Sequence, residues 1–440
     1  MKRNPYIFIT LTLFFCAPVW AQQSAPELLT VSEAVTEAIQ CNPAIISTQA
    51  EIEAAGQGVK SARADLLPQI TAGYGYTSLQ EAPIMKTEQG PLQVAHQYQY
   101  NWDVTLVQPL FAGFALSSQL DLAKLDSAAR TLEKDQTILD LTRGVHAACY
   151  NLLLAQKLLQ VSSDEVETLS AHKRDAELFH RQGLIPPNDE LKAEVSLADA
   201  LQTRERVQAN VRKAEIRLNR LLDRPLENRI AIADVGDIPE ESYDMAKLST
   251  RALEVRPVMQ LLDTGLKQLG LAQKIARSTW FPRVSLVGSV DYTGDNLAAD
   301  ENDYSNTNNS FVALKAEWHF WSSGKTRAEV NRVRRQIKAL EARIDSMAAQ
   351  VQEEVRSALL DCQVARKNIA TADQALVQAR ENWRITDIQY RQQVATSTDV
   401  LDARTFLTQA DTNYYRAVYG YLDAVAGLER AVGDKMDQQS

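Results

Sequence analysis

The sequence contains few cysteines, and none of them is placed to form a recognisable pair or metal site. The four residues Cys16, Cys41, Cys149 and Cys362 are far apart in a chain of 440 residues. Disulfide-rich domains and structural zinc sites both require cysteines at short, regular spacings. Neither pattern is present. We therefore expect Cys41, Cys149 and Cys362 to behave as small, buried apolar residues.

Motifs that carry catalysis are also missing. The sequence has no nucleophile elbow, phosphate-binding loop or dinucleotide fingerprint, and its five histidines have no metal-ligand spacing. The histidines are His96, His146, His172, His180 and His319. His172 and His180 lie two turns apart in one predicted helix, and we interpret them as surface residues of a coiled coil. The sequence thus predicts no enzyme, no cofactor and no metal site.

The chain has neither an excess of positive charge nor a second long apolar run. Its formal net charge of −9 argues against a nucleic-acid partner. Residues 1–21 have the basic start, short apolar run and small-residue end of a signal peptide. Bulky residues precede Cys16, which argues against a lipoprotein. No later apolar run is long enough for a membrane helix, so a membrane location would require strands closed into a barrel.

What the chain does contain is an internal repeat. When the sequence is compared with itself at the separation between Thr36 and Thr250, eight residues in this part of the chain match identical residues. We call this separation the first offset. A second offset, shorter by four, takes Val145 to Val355, and thirteen residues from there onward match in the same way. The change of offset falls in a polar stretch before Val145, where a difference in length costs little. A period of nearly half the chain indicates a tandem duplication rather than a solenoid.

Each predicted half contains a helix, two strands and a long helical hairpin, in the same order. The first half covers residues 22–240 and the second covers 241–440. The opening helices are predicted near 32–66 and 246–279. In the first half, the strands are predicted near 68–78 and 97–109 and the hairpin near 113–222. In the second half, the strands are predicted near 282–293 and 310–321 and the hairpin near 324–433.

The four predicted strands alternate between apolar and polar residues, which gives each strand one apolar face. Each is about ten residues long, the length of a transmembrane barrel strand, and Tyr74, Tyr76 and Trp102 would suit an aromatic girdle. A soluble sandwich would show the same alternation. Four strands cannot close a barrel, so membrane insertion would require oligomerisation, and three copies would supply twelve strands.

Glycine and proline are almost absent from 117–182 and 325–393, which predicts two very long helices. About 65 residues at 1.5 Å each give a rod of roughly 100 Å, too long for a globular domain and suited to a coiled coil. Asn188 and Thr398 are predicted to cap the returning helices, with Asp189 and Asp399 near their positive ends. The predicted fold class is mainly α, with long helical hairpins and a β-barrel segment.

Several tracts resemble the TolC-like outer-membrane efflux family. Residues 390–403 resemble its inner hairpin tip, which has a tyrosine, a glycine three residues on, and the tract D-V-L-D-A. Residues 108–113 and 320–324 resemble the signature that ends a strand and opens a long helix. Pro68 and Pro282 stand where the family turns from helix into strand. The ordered set covers essentially the whole chain after residue 21.

The resemblance implies a homotrimer with a twelve-stranded barrel in outer-membrane lipid and a helical tunnel that closes at the hairpin tips in the periplasm. It implies that Asp399 and Asp402 face the pore. In a trimer they would form two rings of carboxylates, whose repulsion would raise some of their pKa values and attract cations. Tyr390 matches the tyrosine of the family's gate network.

The resemblance is incomplete at the tips. Gln393 replaces the family's glycine, so we expect this turn to differ. Val418 stands in place of the family's gate arginine, and Arg416 is the nearest substitute. The tip residues expected to contact a periplasmic adaptor are Arg181, Gln182, Gly183, Asp189, Arg391, Gln392 and Gln393.

The function implied by the resemblance is passive conduction from the periplasm to the exterior. The chain would be the outer-membrane component of a tripartite efflux pump or type I secretion system, together with a periplasmic adaptor and an inner-membrane transporter. A periplasmic coiled-coil adaptor or scaffold is the alternative, although it would not need the aromatic strands. A simple porin is disfavoured by the high helical content. Nothing in the sequence identifies the substrate.

Overall fold

The computed structural model describes residues 28–235 and 243–434, so the predicted signal peptide lies outside the described residues. The described chain consists of long helices joined to a four-stranded sheet, with two further sheets of two short strands each. The elements of the first half are β1 (Leu28–Leu29), α1 (Val31–Cys41), α2 (Pro43–Ala64), β2 (Gln69–Ser78), β3 (Ile84–Thr87), β4 (Gly90–Gln93), β5 (Tyr98–Ala112), α3 (Ala115–Arg181) and α4 (Pro187–Leu221). Those of the second half are β6 (Ala231–Ile232), α5 (Met245–Val255), α6 (Pro257–Ser278), β7 (Arg283–Gly294), β8 (Asn308–Glu317), α7 (Lys325–Arg391) and α8 (Ser397–Val432).

The main elements of the two halves begin at the two offsets found in the sequence. Helices α5 and α6 and strand β7 follow α1, α2 and β2 at the first offset. Strand β8 and helices α7 and α8 follow β5, α3 and α4 at the second offset. Helices α3 and α7 each contain 67 residues, which corresponds to about 100 Å of helix. The change of offset falls between β2 and β5, in the stretch where the sequence analysis located it.

The opening segment of each half is two helices, so the single helices predicted near 32–66 and 246–279 are wrong. The chain is extended at Asn42, with ψ of 127°, and again at Arg256, with ψ of 127°. Each of these residues precedes a proline, which disfavours helical geometry before it and is well placed as the first residue of a new helix. The Asn42 side chain caps the second helix by accepting from the N–H of Ala44 at 2.9 Å.

The four long strands form one antiparallel sheet in the order β2-β5-β7-β8. Gln69 pairs with Val107, and Arg283 pairs with Glu317, so the β2–β5 and β7–β8 registers are equivalent once the two offsets are applied. Most rows across the sheet are alternately apolar and polar, as the alternation predicted, although the row Gln69, Val107, Val287 and Ala313 is largely apolar. Examples are the row Ile70, Leu106, Gly288 and Val312, and the row Gly73, Asp103, Asp291 and Asn309.

Strand β8 ends at Glu317, whereas the sequence analysis extended it to 321. Glu317 pairs with Arg283, the first residue of β7, so residues beyond Glu317 have no partner strand within the described chain. The equivalent strand β5 continues to Ala112 because β7 pairs with it on that side, across an irregularity between Pro109 and Phe111. Trp318, Phe320 and Trp321 are left highly exposed.

Two short pairings were not predicted. Strands β3 and β4 form a hairpin within the stretch interpreted as a polar loop. Strands β1 and β6 pair in parallel, with Leu28 opposite Ala231 and Leu29 opposite Ile232. The second pairing attaches the start of the described chain to the connection between the two halves.

The main apolar core surrounds the middle of α3, where α1, the end of α4 and the end of α8 pack against it. Cys149 lies in this core and Cys362 in the smaller core around α7, as expected. Burial raises the pKa of the Cys149 thiol to about 12 and that of Cys362 to about 11. Cys41 is exposed, so its predicted burial is wrong. Among the described residues, no helix combines the length and apolar character needed to cross a membrane.

Candidate functional site at the hairpin tips

The long helices reverse through two turns of the same geometry. The N–H of Gly183 donates to the carbonyl of His180 at 2.8 Å, and the N–H of Leu184 donates to that of Phe179 at 2.9 Å. The second turn repeats both bonds at the equivalent positions. There the N–H groups of Gln393 and Val394 donate, each at 2.8 Å, to the carbonyls of Tyr390 and Gln389 respectively.

Gln393 adopts the left-handed conformation that its glycine counterpart adopts. Gly183 has φ of +74° and Gln393 has φ of +62°. The expectation that the second tip turns differently is therefore wrong. The surrounding hydrogen bonds fix the left-handed turn, and a side chain with a Cβ occupies it at a cost of about 1–2 kcal/mol.

The helices that leave the turns begin two residues earlier than predicted. Thr396 is the N-cap of α8, where its hydroxyl accepts from the N–H of Asp399 while the Asp399 carboxylate accepts from Thr396 N at 2.8 Å. Pro186 is the N-cap of α4, and Pro187 is its first residue. Asn188 and Thr398 lie inside the helices, so their assignment as caps is wrong. The reason is that the capping box and the proline fix earlier starts.

Asp399 is thus engaged in its own helix start. The hydroxyl and backbone N–H of Thr396 lower the pKa of this carboxyl. A ring of carboxylates would instead raise the pKa of some of its members. Such a ring would require neighbouring copies of the chain. Asp402 lies three residues further along α8 on the same face and is exposed.

Arg416 does not join these carboxylates. It lies on α8, exposed, and almost five helical turns beyond Asp399. At 1.5 Å per residue this separation is about 25 Å along the helix axis. Tyr390 lies near the end of α7, just before the turn that leads to Asp399. The structure therefore brings Tyr390, Asp399 and Asp402 to one end of the hairpin and leaves Arg416 well away from it.

The tips of the two hairpins contact each other through polar groups. His172 Nε2 lies 2.8 Å from the hydroxyl of Ser397, which donates to the carbonyl of Asp189 at 3.4 Å. Lys192 Nζ donates to the Thr398 hydroxyl at 3.1 Å and lies 3.4 Å from the Asp189 carboxylate. The start of α8 is therefore attached to both helices of the first hairpin. We call these five residues the tip contact.

Tyr390 supports the tip contact by packing. Its side chain is buried, and its ring centroid lies 4.7 Å from that of His172 and 5.6 Å from that of Phe179. Its hydroxyl is buried and has no hydrogen-bond partner among the described residues. Burial, together with Asp175 and Asp189, raises the pKa of Tyr390 to about 12. Tyr390 is therefore a neutral packing residue that joins α7 to α3.

His172 is a central residue of the site, and its interpretation as a surface histidine is wrong. It is only 5% exposed. Burial lowers its pKa, although Asp175, Asp387 and Asp189 act in the opposite direction. Because the Ser397 hydroxyl donates to Asp189, it is available to accept a hydrogen bond from His172. His180, by contrast, is partly exposed, with Nε2 3.8 Å from the Glu190 carboxylate.

A buried charge that was not predicted from the sequence lies further along α8. Arg404 is 6% exposed, and its guanidinium lies over the ring of Trp383 at 5.9 Å from the centroid. Its Nε atom has no hydrogen-bond partner among the described residues. Burial lowers the pKa of Arg404 and, acting on the facing carboxyl, raises that of Glu165. No motif marks this pair, because its partners come from separate helices.

The remaining predicted site residues are at the surface or at junctions. Arg181 Nε donates to the carbonyl of Glu177 at 3.3 Å, and Arg391 pairs with Asp387 at 3.1 Å. Gln182 and Gln392 are the C-caps of α3 and α7. Pro68 and Pro282 each lie one residue before a strand, β2 and β7 respectively.

The comparison with protein families matches this architecture twice along the chain. The model described as outer membrane efflux protein matches residues 34–224 and 248–434. Together these segments make up most of the chain. The protein belongs to the outer membrane efflux protein family, whose members are channels rather than enzymes. It is accordingly an outer-membrane protein with a long helical extension into the periplasm.

Individual relatives are distant in sequence and similar in length. The outer membrane protein TolC of Vibrio cholerae is 21% identical over 449 residues, which cover 100% of this chain and 97% of the relative. The CmeC outer membrane channel of Campylobacter jejuni has a TM-score of 0.79 at 14% identity and covers 98% of this chain and 94% of its own. The open state of the MtrE outer membrane channel of Neisseria gonorrhoeae has a TM-score of 0.74 at 18% identity, with coverages of 99% and 97%.

Proposed function

We propose that three copies of this chain form the outer-membrane duct of a tripartite efflux pump or type I secretion system. Their twelve strands close a barrel in the outer membrane, and their hairpins form a tunnel in the periplasm. A periplasmic adaptor binds the hairpin tips, and an inner-membrane transporter delivers the substrate. The duct itself conducts passively to the exterior.

The observation that carries this proposal is the pair of open edges on the sheet. Strands β2 and β8 each have one paired side within the described chain. Unpaired backbone groups on such edges cost several kcal/mol each in lipid. Within the chain, a strand of the first half, β5, pairs with a strand of the second half, β7. The same arrangement repeated between copies would pair β8 with β2 and leave no edge.

The two offsets give the register of that pairing between copies. Asp103 lies opposite Asp291 in the chain. The second offset takes Asp103 forward to its equivalent Ala313, and the first offset takes Asp291 back to its equivalent Thr77. Ala313 of one copy would therefore lie opposite Thr77 of the next. Continued to its end, this pairing would also extend β8 beyond Glu317, as the sequence analysis predicted.

The helices support the same repetition. Helix α3 packs against α2 on one side and α6 on the other, whereas α7 packs against α6 and lacks the second neighbour within the described chain. Leu360 and Val364 on α7 are 55% and 57% exposed, while their equivalents Tyr150 and Leu154 on α3 are half-buried. Tyr150 and Leu154 pack in the core to which Tyr419 and Leu422 of α8 contribute, so the equivalent helix α4 of a neighbouring copy would cover this face of α7, as α8 covers α3.

Cysteine crosslinking tests the assembly and its register together. In a Cys41→Ser background, we expect the double variant Ala313→Cys with Thr77→Cys to form covalent dimers and trimers on mild oxidation. Opposed residues on antiparallel strands are about 4.5–5.5 Å apart at Cα, within the range of a disulfide. The matched control replaces Thr77→Cys by Tyr76→Cys, which faces the other side of the sheet. A monomeric product, or equal crosslinking in the control, would refute the proposed pairing.

Conductance tests the pore and its carboxylates. We expect the purified trimer to conduct in planar bilayers and to be blocked by millimolar divalent cations at rings formed by Asp399 and Asp402. The variant Asp399→Ala with Asp402→Ala should lose the block. If divalent cations still block the double variant, the two carboxylates do not form the constriction, although the proposal of a channel stands. Absence of conductance and of a trimer would favour the periplasmic scaffold instead.

A further inference from the structure

At the end of the sheet distant from the long helices, three metal-binding side chains from the two halves of the chain converge. His96 lies before β5, and Asp295 and Asp303 lie in the loop after β7. His96 Nε2 is 2.8 Å from Asp295 Oδ2 and 3.5 Å from Asp303 Oδ2. All three donor atoms lie within 4.8 Å of one another.

The His96 nitrogen has the features of a ligand rather than of a hydrogen-bond donor. Its Nε2 atom is itself buried, yet within the described part of the chain it makes no hydrogen bond of acceptable geometry. The nearby carboxylate oxygens therefore surround the nitrogen without lying in line with an N–H. A neutral imidazole presents a lone pair in this direction, and a cation between the three atoms would satisfy it.

The loop that carries the two aspartates is held in place by its own hydrogen bonds. The N–H of Asp295 donates to the carbonyl of Glu301 at 2.9 Å. The Asn302 side-chain oxygen accepts from the N–H groups of Tyr304 and Ser305 at 2.9 and 3.1 Å. Tyr304 in turn packs edge-on against the His96 ring, with centroids 4.9 Å apart. These contacts set the positions of the ligands before any ion arrives.

The loop is also attached to the strands of the first half. The Tyr74 hydroxyl donates to the carbonyl of Leu297 at 2.8 Å, and Trp102 Nε1 donates to that of Ala298 at 3.3 Å. Beside the His96 ring is a small cavity of about 60 Å³, lined in part by Gly294, Asp295 and Asn302. Such a volume can hold a water molecule, which could complete the coordination of an ion.

The donor set and its spacing fit a first-row divalent metal. One imidazole and two carboxylates suit Zn²⁺ and ions of similar preference, with bonds of about 2.0–2.2 Å. In a tetrahedral site such bonds place the donors about 3.4 Å apart. The His96–Asp303 separation already has this value, and the His96–Asp295 separation needs to widen by about 0.6 Å. The Asp303 side chain is 82% exposed and is free to adjust.

We propose that His96, Asp295 and Asp303 form a site for one divalent transition-metal ion per chain, with Zn²⁺ as its representative. The ion connects the segment before β5 to the loop after β7, and so connects the two halves of the chain at the far end of the sheet. If the proposed barrel forms, this end is its outer mouth. The site itself uses residues of a single chain and does not depend on that assembly.

Isothermal titration of the purified full chain in detergent with ZnCl₂ tests the site. The protein should carry no polyhistidine tag. We expect one Zn²⁺ per chain, and at least tenfold weaker binding in His96→Gln and in Asp295→Asn. Asp303→Asn should weaken binding less, because that carboxylate is the most exposed.

The matched control is His319→Gln. His319 also lies beside a carboxylate, with Nε2 3.4 Å from Glu317, but it is 74% exposed and belongs to no three-ligand group among the described residues. We expect its Zn²⁺ affinity to equal that of the wild type. Absence of stoichiometric binding, or equal affinity in the His96→Gln variant, would show that His96 and Asp295 form an ion pair only. Because the titration reads binding directly, it remains valid even if the chain proves not to conduct.

Discussion

Acidification should loosen the tip contact, because it places a charge on the buried His172. In the closed tip, burial lowers the pKa of His172 below its ordinary value of about 6.5. In an open tip the ring is solvated and recovers that value. The closed state therefore binds fewer protons than the open state. The stabilisation from His172 is complete above about pH 6.5 and declines as pH falls toward the lower pKa of the closed state.

The magnitude follows from linkage. Within that pH range, each unit of acidification lowers the free energy that favours the closed tip by up to about 1.4 kcal/mol. This changes the equilibrium between closed and open tips by up to about tenfold. Asp175, Asp189 and Asp387 favour the charged ring and limit the width of the window. The hydrogen bond to Ser397 can survive protonation, because Nε2 still carries a proton. The cost therefore lies in burying the charge rather than in losing the bond.

Distance measurement between the tips checks this prediction. Spin labels at Leu184 and Val394, both exposed tip residues, report the separation of the two hairpins in a Cys41→Ser background. We expect the long-distance population to increase by up to about tenfold between pH 6.5 and pH 5.5. Asp399 does not contribute in this range, because its pKa is lowered from an ordinary value near 4.

Two variants separate His172 from other titrating groups. His172→Gln keeps a side-chain donor for Ser397 but carries no charge, so its tips should not respond to pH over this range. His180→Gln removes the partly exposed histidine of the same helix and should leave the response intact. Glu165 also has a raised pKa and is unchanged in both variants. If His172→Gln responds as strongly as the wild type, the argument from the buried imidazole is refuted.

Two further changes test the tip backbone and the buried charge. Gly183→Ala should destabilise the first turn by about 1 kcal/mol, seen as roughly fivefold faster amide exchange, because φ of +74° disfavours a Cβ even where nothing lies within 4 Å of it. Gly144→Ala, inside α3 with equal space, should stabilise its surroundings instead. Replacing Arg404→Met together with Glu165→Gln should increase the free energy of unfolding by about 1–4 kcal/mol and so raise the thermal unfolding midpoint. Glu165→Gln alone should lower the midpoint, because it leaves the buried Arg404 with only Asp411 and Asp164 as nearby negative charges. A double variant less stable than the wild type would indicate that the pair contributes net stability.

The sequence predicted the long helices and the strands well because their signals are local. A long stretch without proline allows a continuous helix, and strict alternation defines a two-faced strand. The breaks before Pro43 and Pro257 were missed although proline marks a helix start, because the apolar pattern continues on both sides. The predicted end of strand β8 lies beyond its end in the structure, because the alternation of residues in one strand does not indicate where the partner strand ends.

The candidate site was only partly predictable. Tyr390 and Asp399 were found through their place in a tract that resembles known tips, and Asp189 was found through its position near the start of the returning helix. His172 was missed because its burial depends on Ser397, which lies 225 residues away in sequence. A histidine in a long amphipathic helix gives no local sign of which neighbouring helix will cover it. The same holds for Arg404, whose facing carboxyl comes from α3.

The repeat makes the two tips alike in backbone and unlike in chemistry. The position equivalent to His172 is Asn382, and the position equivalent to Ser397 is Pro187, which has no hydroxyl. The His172–Ser397 hydrogen bond therefore has no counterpart of the same kind between neighbouring copies in the proposed trimer. Each subunit would contain one such bond, beside those of Ser397 to Asp189 and of Lys192 to Thr398. Separation of the tips would then begin at the boundaries between subunits, where this bond is absent, and the charge state of His172 would decide whether the two hairpins of each chain move together.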